Sequence, residues 1–485
     1  MNHPKVSVII PAYNSTDFLG EAIQSVLNQT YSNFEIIVVD DASSEPVGEL
    51  VKKFTDSRIQ LIRHENNRGA VAARLTGVKA SSGERIAFLD QDDLFHEEKL
   101  QNHVEFLLQH SECGLTYNPR FHIQGSSRVI RGLSQPPQHL TLADWVLGFP
   151  LAPSDIVLAR EWARREEIWD DTFASQAEHV IFNGHEIVFG GRLALAGCKF
   201  GYVSRALNYR RFHPHRVLKH LDLRCKAELA CQNLILNDPR CPSHVLALRN
   251  VAAANIYVLW AFTAYLQQEF AIGREFIQRA VNLMPDLAEG EPPKLVETWT
   301  NWIAVDEERD IEDLLSTIFA NLPPEVKPRQ EYFPYAVSRG YLLRGMHAFI
   351  WGLDAQTYLE RAVRMGARVD EQSVVPLVRE LAAYEAEFGS EATETVVRNL
   401  IRHFRKLGQS KGMRLLSGIY AANRAFRWYY AGQYAQVPRQ VIRTLAADPK
   451  YLANKGVLSI LARALARRVG LGQTRGEPWT GALDG

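Results

Sequence analysis

Residues 85–93, RIAFLDQDD, are the most informative stretch of the sequence, because a short apolar segment typical of a β-strand is followed at once by four polar residues. The same arrangement occurs earlier, in VSVIIPAYN at residues 6–14 and in EIIVVDDAS at residues 35–43. Apolar residues recur at helical spacing between these segments, and a further strand is predicted at residues 59–62. Strands that alternate with helices are typical of a parallel sheet with helices on both faces. The sequence therefore predicts an N-terminal α/β domain.

Polar clusters follow three strands of this predicted sheet, at the edge where ligands bind in such folds. The clusters are Pro11-Ala12-Tyr13-Asn14, Asp40-Asp41-Ala42-Ser43 and Asp90-Gln91-Asp92-Asp93. The third has three carboxylates in four residues, which repel one another strongly unless a cation lies among them. Mg²⁺ or Mn²⁺ suits such a site, since it takes one or two carboxylates, several waters and substrate phosphates. The alternative is a solvated turn in which Asp93 caps the following helix.

The pair Asp40-Asp41 leaves two interpretations open. Two acids at the end of a strand can cap the next helix, or one of them can bind a nucleotide base or ribose through a hydrogen bond. A metal site two strands away favours the second interpretation.

The composition excludes several classes of protein. The 485 residues include 55 Lys+Arg and 55 Asp+Glu, so the chain has no net positive charge that would attract nucleic acid. An anionic ligand would therefore need a local binding site. Five cysteines without a CxxC pair indicate reduced thiols in a cytosolic protein. Residues 1–11 are not expected to form a secretory signal, and the apolar stretch at residues 251–266 is about four residues too short to span a membrane. Residues 11–15 contain no glycine, which argues against nucleotidyltransferases and dinucleotide oxidoreductases.

The three strand segments carry a family resemblance. VSVIIPAYN, EIIVVDDAS and NNRGAVAARLTGVKASSGERIAFLDQDD at residues 66–93 resemble inverting glycosyltransferase family 2, in the fold called GT-A, in both order and spacing. The resemblance implies a metal-dependent enzyme with Mn²⁺ or Mg²⁺ as cofactor. Its donor would be a nucleoside-diphosphate sugar, most often a UDP-sugar, and its acceptor a hydroxyl of a glycan, a lipid-linked glycan or a polysaccharide.

The resemblance also implies roles for individual residues. Asp90 and Asp92 would form the DxD motif, with Asp92 as the direct metal ligand and Asp90 facing the ribose or a metal-bound water. Asp40 would contact the nucleobase. The other expected donor-binding residues are Pro11, Ala12, Tyr13, Asp41 and Gln91, together with Arg68 or Arg74, which would neutralise the donor. A surface position on the helix is the alternative for each of the two arginines.

The resemblance continues, less tightly, to about residue 220. IWDDTF at residues 168–173 resembles the turn before the acceptor helix of the family. The segment GHEIVFGGRLALAGCKFGYV at residues 184–203 resembles the family's next conserved element. The family has a Glu-Asp pair where this sequence has His185-Glu186, so the sequence departs from the family pattern there. Because the family base is generally the Asp, Glu186 is the expected general base and His185 its competitor. A Glu that caps the helix is the alternative.

A histidine near the end of this region completes the expected site. Tyr209-Arg210-Arg211-Phe212-His213-Pro214 resembles the family's closing Y-R-x-H element. The resemblance implies that His213 takes part in the metal or diphosphate shell, and an ordinary loop histidine is the alternative.

Residues 221–485 are predicted to be all-helical and to form a second domain after the GT-A domain of residues 1–220. Similar triplets recur at residues 279–281, 361–363 and 443–445, each 82 residues apart (361 − 279 and 443 − 361). Tetratricopeptide-like repeats that bind a protein partner are one interpretation, and an irregular helical bundle is the other. The basic helix at residues 455–469, with an apolar stripe of Leu458, Leu461, Leu465 and Val469, either contacts an anionic membrane surface or caps the helical domain.

One rival function remains open. A catalytically degenerate transferase domain could serve as a scaffold for a protein-binding helical repeat. The change to His185-Glu186 favours this interpretation, whereas the intact Asp90-Gln91-Asp92 argues against it. In either case the expected location is the cytoplasm, with at most peripheral contact at the inner face of the membrane.

Overall fold

A computed structural model describes residues 3–14, 16–125, 129–148, 151–169, 185–212, 218–306, 309–328 and 330–468 of the chain. The chain forms two compact units. The first unit comprises Met1–Trp299 and Asp313–Tyr332, and the second comprises Thr300–Glu312 and Phe333–Gly485. In the described residues all strands precede residue 213, so the expected change to helices near residue 220 is observed. The division into domains at residue 220 stays a prediction, since the first compact unit extends beyond it.

The strands of the first unit form two sheets. In chain order they are β1 (Val6–Ala12), β2 (Phe34–Asp40), β3 (Ile59–Arg63), β4 (Arg85–Phe88), β5 (Leu94–Phe95), β6 (Cys113–Tyr117), β7 (Arg120–Gln124), β8 (Ile130–Ser134), β9 (Ile156–Ala159), β10 (Lys199–Tyr202) and β11 (Asn208–Phe212). Seven of them form a sheet in the order β10-β6-β9-β4-β1-β2-β3, and four form a second sheet in the order β5-β11-β7-β8. The first sheet is the predicted one, and it is parallel except where β9 pairs with β4 and β6.

Helices cover both faces of the large sheet and are the main elements of the described chain after residue 220. In chain order they are α1 (Thr16–Leu27), α2 (Val47–Lys52), α3 (Gly69–Ala80), α4 (Lys99–Gln109), α5 (Leu142–Val146), α6 (Arg160–Ala163), α7 (His185–Leu195), α8 (Leu221–Leu236), α9 (Ser243–Leu246), α10 (Arg249–Leu266), α11 (Phe270–Leu283), α12 (Lys294–Ala304), α13 (Ile311–Asn321), α14 (Tyr332–Ile350), α15 (Gln356–Arg364), α16 (Glu371–Lys406), α17 (Ser410–Tyr430), α18 (Val437–Ala447) and α19 (Lys455–Arg468). Within α16 the backbone leaves the helical conformation at Gly389.

The central strand β1 sets the position of the ligand-binding edge. All seven of its residues are buried, and alternate side chains pack into different cores, with Val8 joining the α1 side and Ile9 the α3 side. On the α3 side a Cβ at Gly77 would lie 2.4 Å from Cγ2 of Ile9, so the helix can approach this closely only with glycine there. In the parallel register Ala12 lies opposite Asp40, which brings the carboxyl ends of β1 and β2 together.

The second sheet and strands β6, β9 and β10 of the large sheet were not predicted from the sequence. These strands are short, with two residues in β5 and four in β9, and apart from the neighbours β7 and β8 they pair with strands that are distant in sequence. Strand propensity is strongly context-dependent, so elements of this kind carry little local signal. They matter for function because β9 and β11 bring remote residues to the acidic loop after β4.

The structure bears on the predictions about membrane-spanning helices, internal repeats and cysteines. The described helices include none that is both long and apolar enough to cross a membrane. Residues 279, 361 and 443 lie in α11, α15 and α18, each of which follows a longer helix, and the repeat interpretation stays a prediction. All five cysteines are free thiols.

The last helix, α19, packs through Val457, Ile460 and Ala464 into a core with residues of α17 and α18. Leu461 of the predicted apolar stripe is partly buried against the same core, whereas Leu458 and Leu465 are exposed. Residue 469 lies outside the described residues. The choice between contact with a membrane surface and capping of the helical domain stays a prediction.

Candidate active site

Asp40 ends β2 and anchors the loop that follows it. Its carboxylate is fully buried, with Oδ1 accepting a hydrogen bond from the backbone N–H of Ser43 at 2.9 Å and Oδ2 ion-paired with Nη1 of Arg63. Arg63 also donates from Nη2 to the carbonyl oxygen of Ser43 at 2.9 Å. The charge of Asp40 is thus balanced within the protein, and its contact with a nucleobase stays a prediction.

Asp41 caps helix α3 and not α2, the next helix along the chain, which one of the two interpretations proposed. Its Oδ1 accepts from Nδ1 of His64 at 2.7 Å and from the backbone N–H of Arg68 at 2.9 Å, and its Oδ2 accepts from the backbone N–H of Gly69 at 2.7 Å. A carboxylate in this position satisfies N–H groups that lack helical partners and interacts favourably with the helix dipole. Asp41 therefore fixes the start of the helix that carries Arg74, while the side chain of Arg68 is exposed.

The loops after β1 and β4 are joined by Gln91. Its Oε1 accepts from the backbone N–H of Tyr13 at 2.7 Å, and its Nε2 donates to the carbonyl oxygen of Tyr13 at 3.2 Å. The ring of Tyr13 is 46% exposed, whereas Pro11 and Ala12 before it are buried. The expected donor-binding residues at this edge are thus brought together, with the tyrosine ring presented to solvent.

Asp90 and Asp93 are both held by Ser154, a residue just before β9. The hydroxyl of Ser154 accepts from the backbone N–H of Asp90 at 3.1 Å and donates to Oδ2 of Asp93 at 2.8 Å. Asp93 is buried and far from the start of α4 at Lys99, so the interpretation of Asp93 as a helix cap was wrong. Burial, followed by repulsion from Asp90 and Asp92, raises the pKa of the Asp93 carboxyl to about 8.

Arg211 fixes the acidic loop from the other side, a role that was not predicted from the sequence. Its side chain is fully buried and donates from Nε to the carbonyl oxygen of Asp92 at 2.9 Å and from Nη1 to the carbonyl oxygen of Gly125. Nη2 lies 3.4 Å from Oε2 of Glu21, and the guanidinium lies 4.4 Å from the ring centre of Phe18. The planar fork of an arginine suits several acceptors at once. The acidic loop is therefore held by a buried cation.

We expect Arg211→Lys to lower the free energy of unfolding by about 2–4 kcal/mol, because lysine cannot reach the same acceptors and hydrogen bonds to charged groups contribute about 1.5–3 kcal/mol each. Chemical denaturation with and without a bound nucleotide measures the effect. Arg210→Lys is the matched control, since Arg210 is exposed on the same strand and should change stability by less than about 0.5 kcal/mol. Equal stability of the two variants would contradict this role for Arg211.

The acidic loop offers a limited set of metal ligands. Asp90 and Asp92 place two carboxylates on one loop, which fits Mg²⁺ or Mn²⁺ when substrate phosphates and water supply the other ligands. Oδ1 of Asp90 also lies 2.6 Å from Nη2 of Arg74. The described residues contain no group of three or more His, Cys, Asp or Glu arranged to hold a metal ion, and His213 lies outside them. The metal therefore stays a prediction.

A pocket with apolar walls brings Arg74 and Glu186 together. Glu186 lies in the first turn of α7. The pocket has a cavity volume of about 40 Å³ and a mouth open to solvent, and its walls are mostly aromatic and aliphatic. Its main aromatic members are Phe88, Trp145, Trp169 and Phe189. Because Arg74 is ion-paired with Asp90, the pocket begins beside the acidic loop.

The other expected residues near this pocket are only partly described. Ile168 and Trp169 of the predicted acceptor turn line the pocket, and residues 170–173 lie outside the described residues. His185 is the first residue of α7, and its side chain also lies outside the description.

A second carboxyl group, on Glu228 of α8, lies near Glu186. Burial raises the pKa of Glu228 and repulsion from Glu186 raises it further, opposed by a hydrogen bond that Nε1 of Trp260 donates to its Oε2 at 2.7 Å. No local motif marks Glu228 in the sequence, because only the packing of α8 against α7 brings it to this position.

The mostly parallel sheet, with acidic loops at its carboxyl edge and the helices described above, is a GT-A-like nucleotide-binding fold. Residues 7–148 match the family "Glycosyl transferase family 2". The sequence resemblance is confirmed for this segment, which matches the family model, and a helical extension follows later in the chain.

Several curated relatives are similar to the N-terminal part of the chain. An uncharacterized glycosyltransferase of Rickettsia bellii is 51% identical over 104 residues, 21% of this chain and 15% of the relative. The Escherichia coli UDP-Glc:alpha-D-GlcNAc-diphosphoundecaprenol beta-1,3-glucosyltransferase WfgD is 43% identical over 106 residues, 22% of this chain and 42% of the relative. The putative teichuronic acid biosynthesis glycosyltransferase TuaG of Bacillus subtilis is 29% identical over 160 residues, 33% of this chain and 63% of the relative. The matches thus span less than two thirds of each of these relatives.

Among solved structures, the chain is similar to residues 1–349 of S. aureus TarS in complex with UDP. The TM-score is 0.39 at 17% identity, with 76% of this chain and 93% of the TarS fragment covered. A likeness at this score carries no information about function.

Proposed function

We propose that the chain is an inverting glycosyltransferase that moves a sugar from a nucleoside-diphosphate sugar to a hydroxyl group of a glycan or lipid-linked glycan. The observation that carries the proposal is the single pocket lined by Arg74 and Glu186. Arg74 is ion-paired with Asp90 of the acidic loop, so a donor at that loop would present its sugar to a pocket that contains a carboxylate. The family match of residues 7–148 supports the same reaction.

In the proposed reaction Glu186 accepts the proton of the acceptor hydroxyl as that oxygen attacks the anomeric carbon. A single displacement inverts the configuration, and the nucleoside diphosphate leaves on the opposite side. Asp90 and Asp92 would hold a divalent cation, which when bound stabilises the negative charge of the leaving diphosphate.

The apolar walls of the pocket contribute to the proposed reaction by limiting water. Trp169 contacts Phe189 with ring centres 5.2 Å apart and Phe88 with ring centres 6.0 Å apart. Water near the anomeric carbon would compete with the acceptor and hydrolyse the donor, so a dry pocket favours transfer.

The donor preference follows the named activity of some relatives and needs a direct test. WfgD is named as a glucosyltransferase that uses UDP-Glc and a GlcNAc-diphosphoundecaprenol acceptor. For this chain we propose a UDP-sugar as the donor and a lipid-linked glycan as one class of acceptor.

We expect a UDP-sugar, but not GDP- or dTDP-sugars, to stabilise the full chain against thermal unfolding. A ligand at a hundredfold excess over its Kd adds about 2.7 kcal/mol to the stability of the folded state. The measurement is a thermal-shift series with each nucleotide sugar, with Mn²⁺ or with EDTA, followed by an assay of donor hydrolysis. Uridine is the control for binding of the base alone. If no nucleotide sugar stabilises the chain under any condition, the proposal fails and the scaffold alternative is favoured.

A further inference from the structure

The second compact unit contains a pocket that the proposed transfer does not use. It lies among the part of α16 after Gly389, helix α17 and helix α18. Four arginines line it, namely Arg398, Arg424, Arg439 and Arg443, together with Glu391 and Glu394. We call this the arginine pocket. Its lining carries two more positive than negative side chains (four arginines minus two glutamates), so it favours an anionic group.

Arg424 is the fixed part of the arginine pocket. It is 1% exposed, lies 2.8 Å from Oε1 of Glu385, is ion-paired with Glu394 and is centred 4.2 Å from the ring of Trp428. Glu394 also accepts from Arg443 at 2.9 Å. Ion pairs and stacking therefore hold the guanidinium in one orientation, which reduces the entropy lost when a ligand binds.

Two buried polar atoms of this lining have no hydrogen-bond partner. They are Nε of Arg424 and Oε1 of Gln440, and Gln440 is only 2% exposed. An unsatisfied buried polar group costs about 1–3 kcal/mol, so a ligand that forms hydrogen bonds with both atoms would remove this cost. One of these atoms is a donor and the other is an acceptor.

We propose that the arginine pocket binds a sugar unit that carries a phosphate or carboxylate group. The N–H of Arg424 and the charges of Arg439 and Arg443 bind the anion, and a sugar hydroxyl donates to Oε1 of Gln440. A bare anion would pair with the arginines of the pocket. It would offer few hydrogen-bond donors to Gln440, however, and the two glutamates would repel it. The inference rests on the proposed function and makes it more specific, because it identifies the acceptor as an anionic glycan that the helical region binds.

The test uses isothermal titration of the full chain with glucose 6-phosphate and glucuronate, in the presence of saturating UDP so that the N-terminal site is occupied. Glucose and inorganic phosphate are titrated as the neutral sugar and the bare anion. We expect both anionic sugars to bind about tenfold more tightly than either control, which corresponds to about 1.4 kcal/mol.

Variants assign the binding to the arginine pocket. Arg439→Ala should weaken binding of glucose 6-phosphate about tenfold, and Gln440→Leu should remove the preference for the sugar phosphate over inorganic phosphate. The matched control is Arg405→Ala, because Arg405 is an exposed arginine on the same helix as Arg398 that does not line the pocket. It should leave all affinities unchanged.

The outcomes separate this inference from the proposed function. If UDP binds but neither anionic sugar binds, or if inorganic phosphate binds as tightly as glucose 6-phosphate, the anionic-glycan site is overturned and the transferase proposal stands. Binding that Arg439→Ala and Arg405→Ala weaken equally also overturns it. If UDP does not bind while the pocket variants behave as expected, the transferase proposal fails and the sugar site remains.

Discussion

Asp92→Asn is expected to reduce sugar transfer by at least about a thousandfold while the chain stays folded. Asparagine is nearly the same size, and the backbone carbonyl of Asp92, which accepts from Arg211, is retained. Loss of a ligand to the expected cation should remove several kcal/mol of transition-state stabilisation, and each 1.36 kcal/mol is about a factor of ten in rate. Initial rates with a UDP-sugar at several Mn²⁺ concentrations, together with thermal unfolding, measure both parts of the prediction.

Asp56→Asn serves as the matched control for this change. Asp56 lies in the turn before β3, outside the candidate site, and pairs with Arg58. We expect its rate and its metal dependence to equal those of the unchanged chain. Full metal-dependent activity of Asp92→Asn would show that the DxD assignment is wrong.

The sequence was sufficient to locate the acidic loop but not its supports. The short apolar strands before Asp40 and Asp90 were recognisable because each one ends in carboxylates. Ser154, just before β9, and Arg211, on β11, hold the acidic loop and lie 60 or more residues later in the chain. The antiparallel insertion of β9 between β4 and β6 depends on long-range pairing, so no local pattern predicted Ser154 as a partner of Asp90.

The choice between neighbouring residues also required the structure. Arg210 and Arg211 are neighbouring residues of the same type, so the sequence does not distinguish them. Successive side chains of a strand point to opposite faces, and in β11, which pairs with β7, the side chain of Arg211 is the buried one. Asp40 and Asp41 likewise differ only in their surroundings: the first pairs with Arg63 and the second caps α3. Sequence patterns identify such pairs but cannot assign the two roles within them.

Glu186→Gln is expected to lower kcat by about 10²–10⁴ with little change in donor affinity, which is the range for loss of a general base. Glutamine keeps the size of the side chain and can still line the pocket, but it cannot accept the proton. At the first turn of α7 the helix dipole favours the ionised carboxylate that a base requires. Steady-state kinetics with the donor and the acceptor varied separately, plus direct titration of UDP, measure kcat and donor affinity independently.

His185→Ala is the discriminating variant, because an imidazole that titrates near neutral pH is the competing base. Adjacent residues on a helix point about 100° apart, so we expect only one of the two side chains to face the anomeric carbon. Glu186 lies in the lining of the pocket with Arg74, and we expect His185→Ala to change kcat by less than about tenfold. If His185→Ala is inactive while Glu186→Gln retains activity, the histidine is the base and the alignment of this helix with the family motif is shifted by one residue.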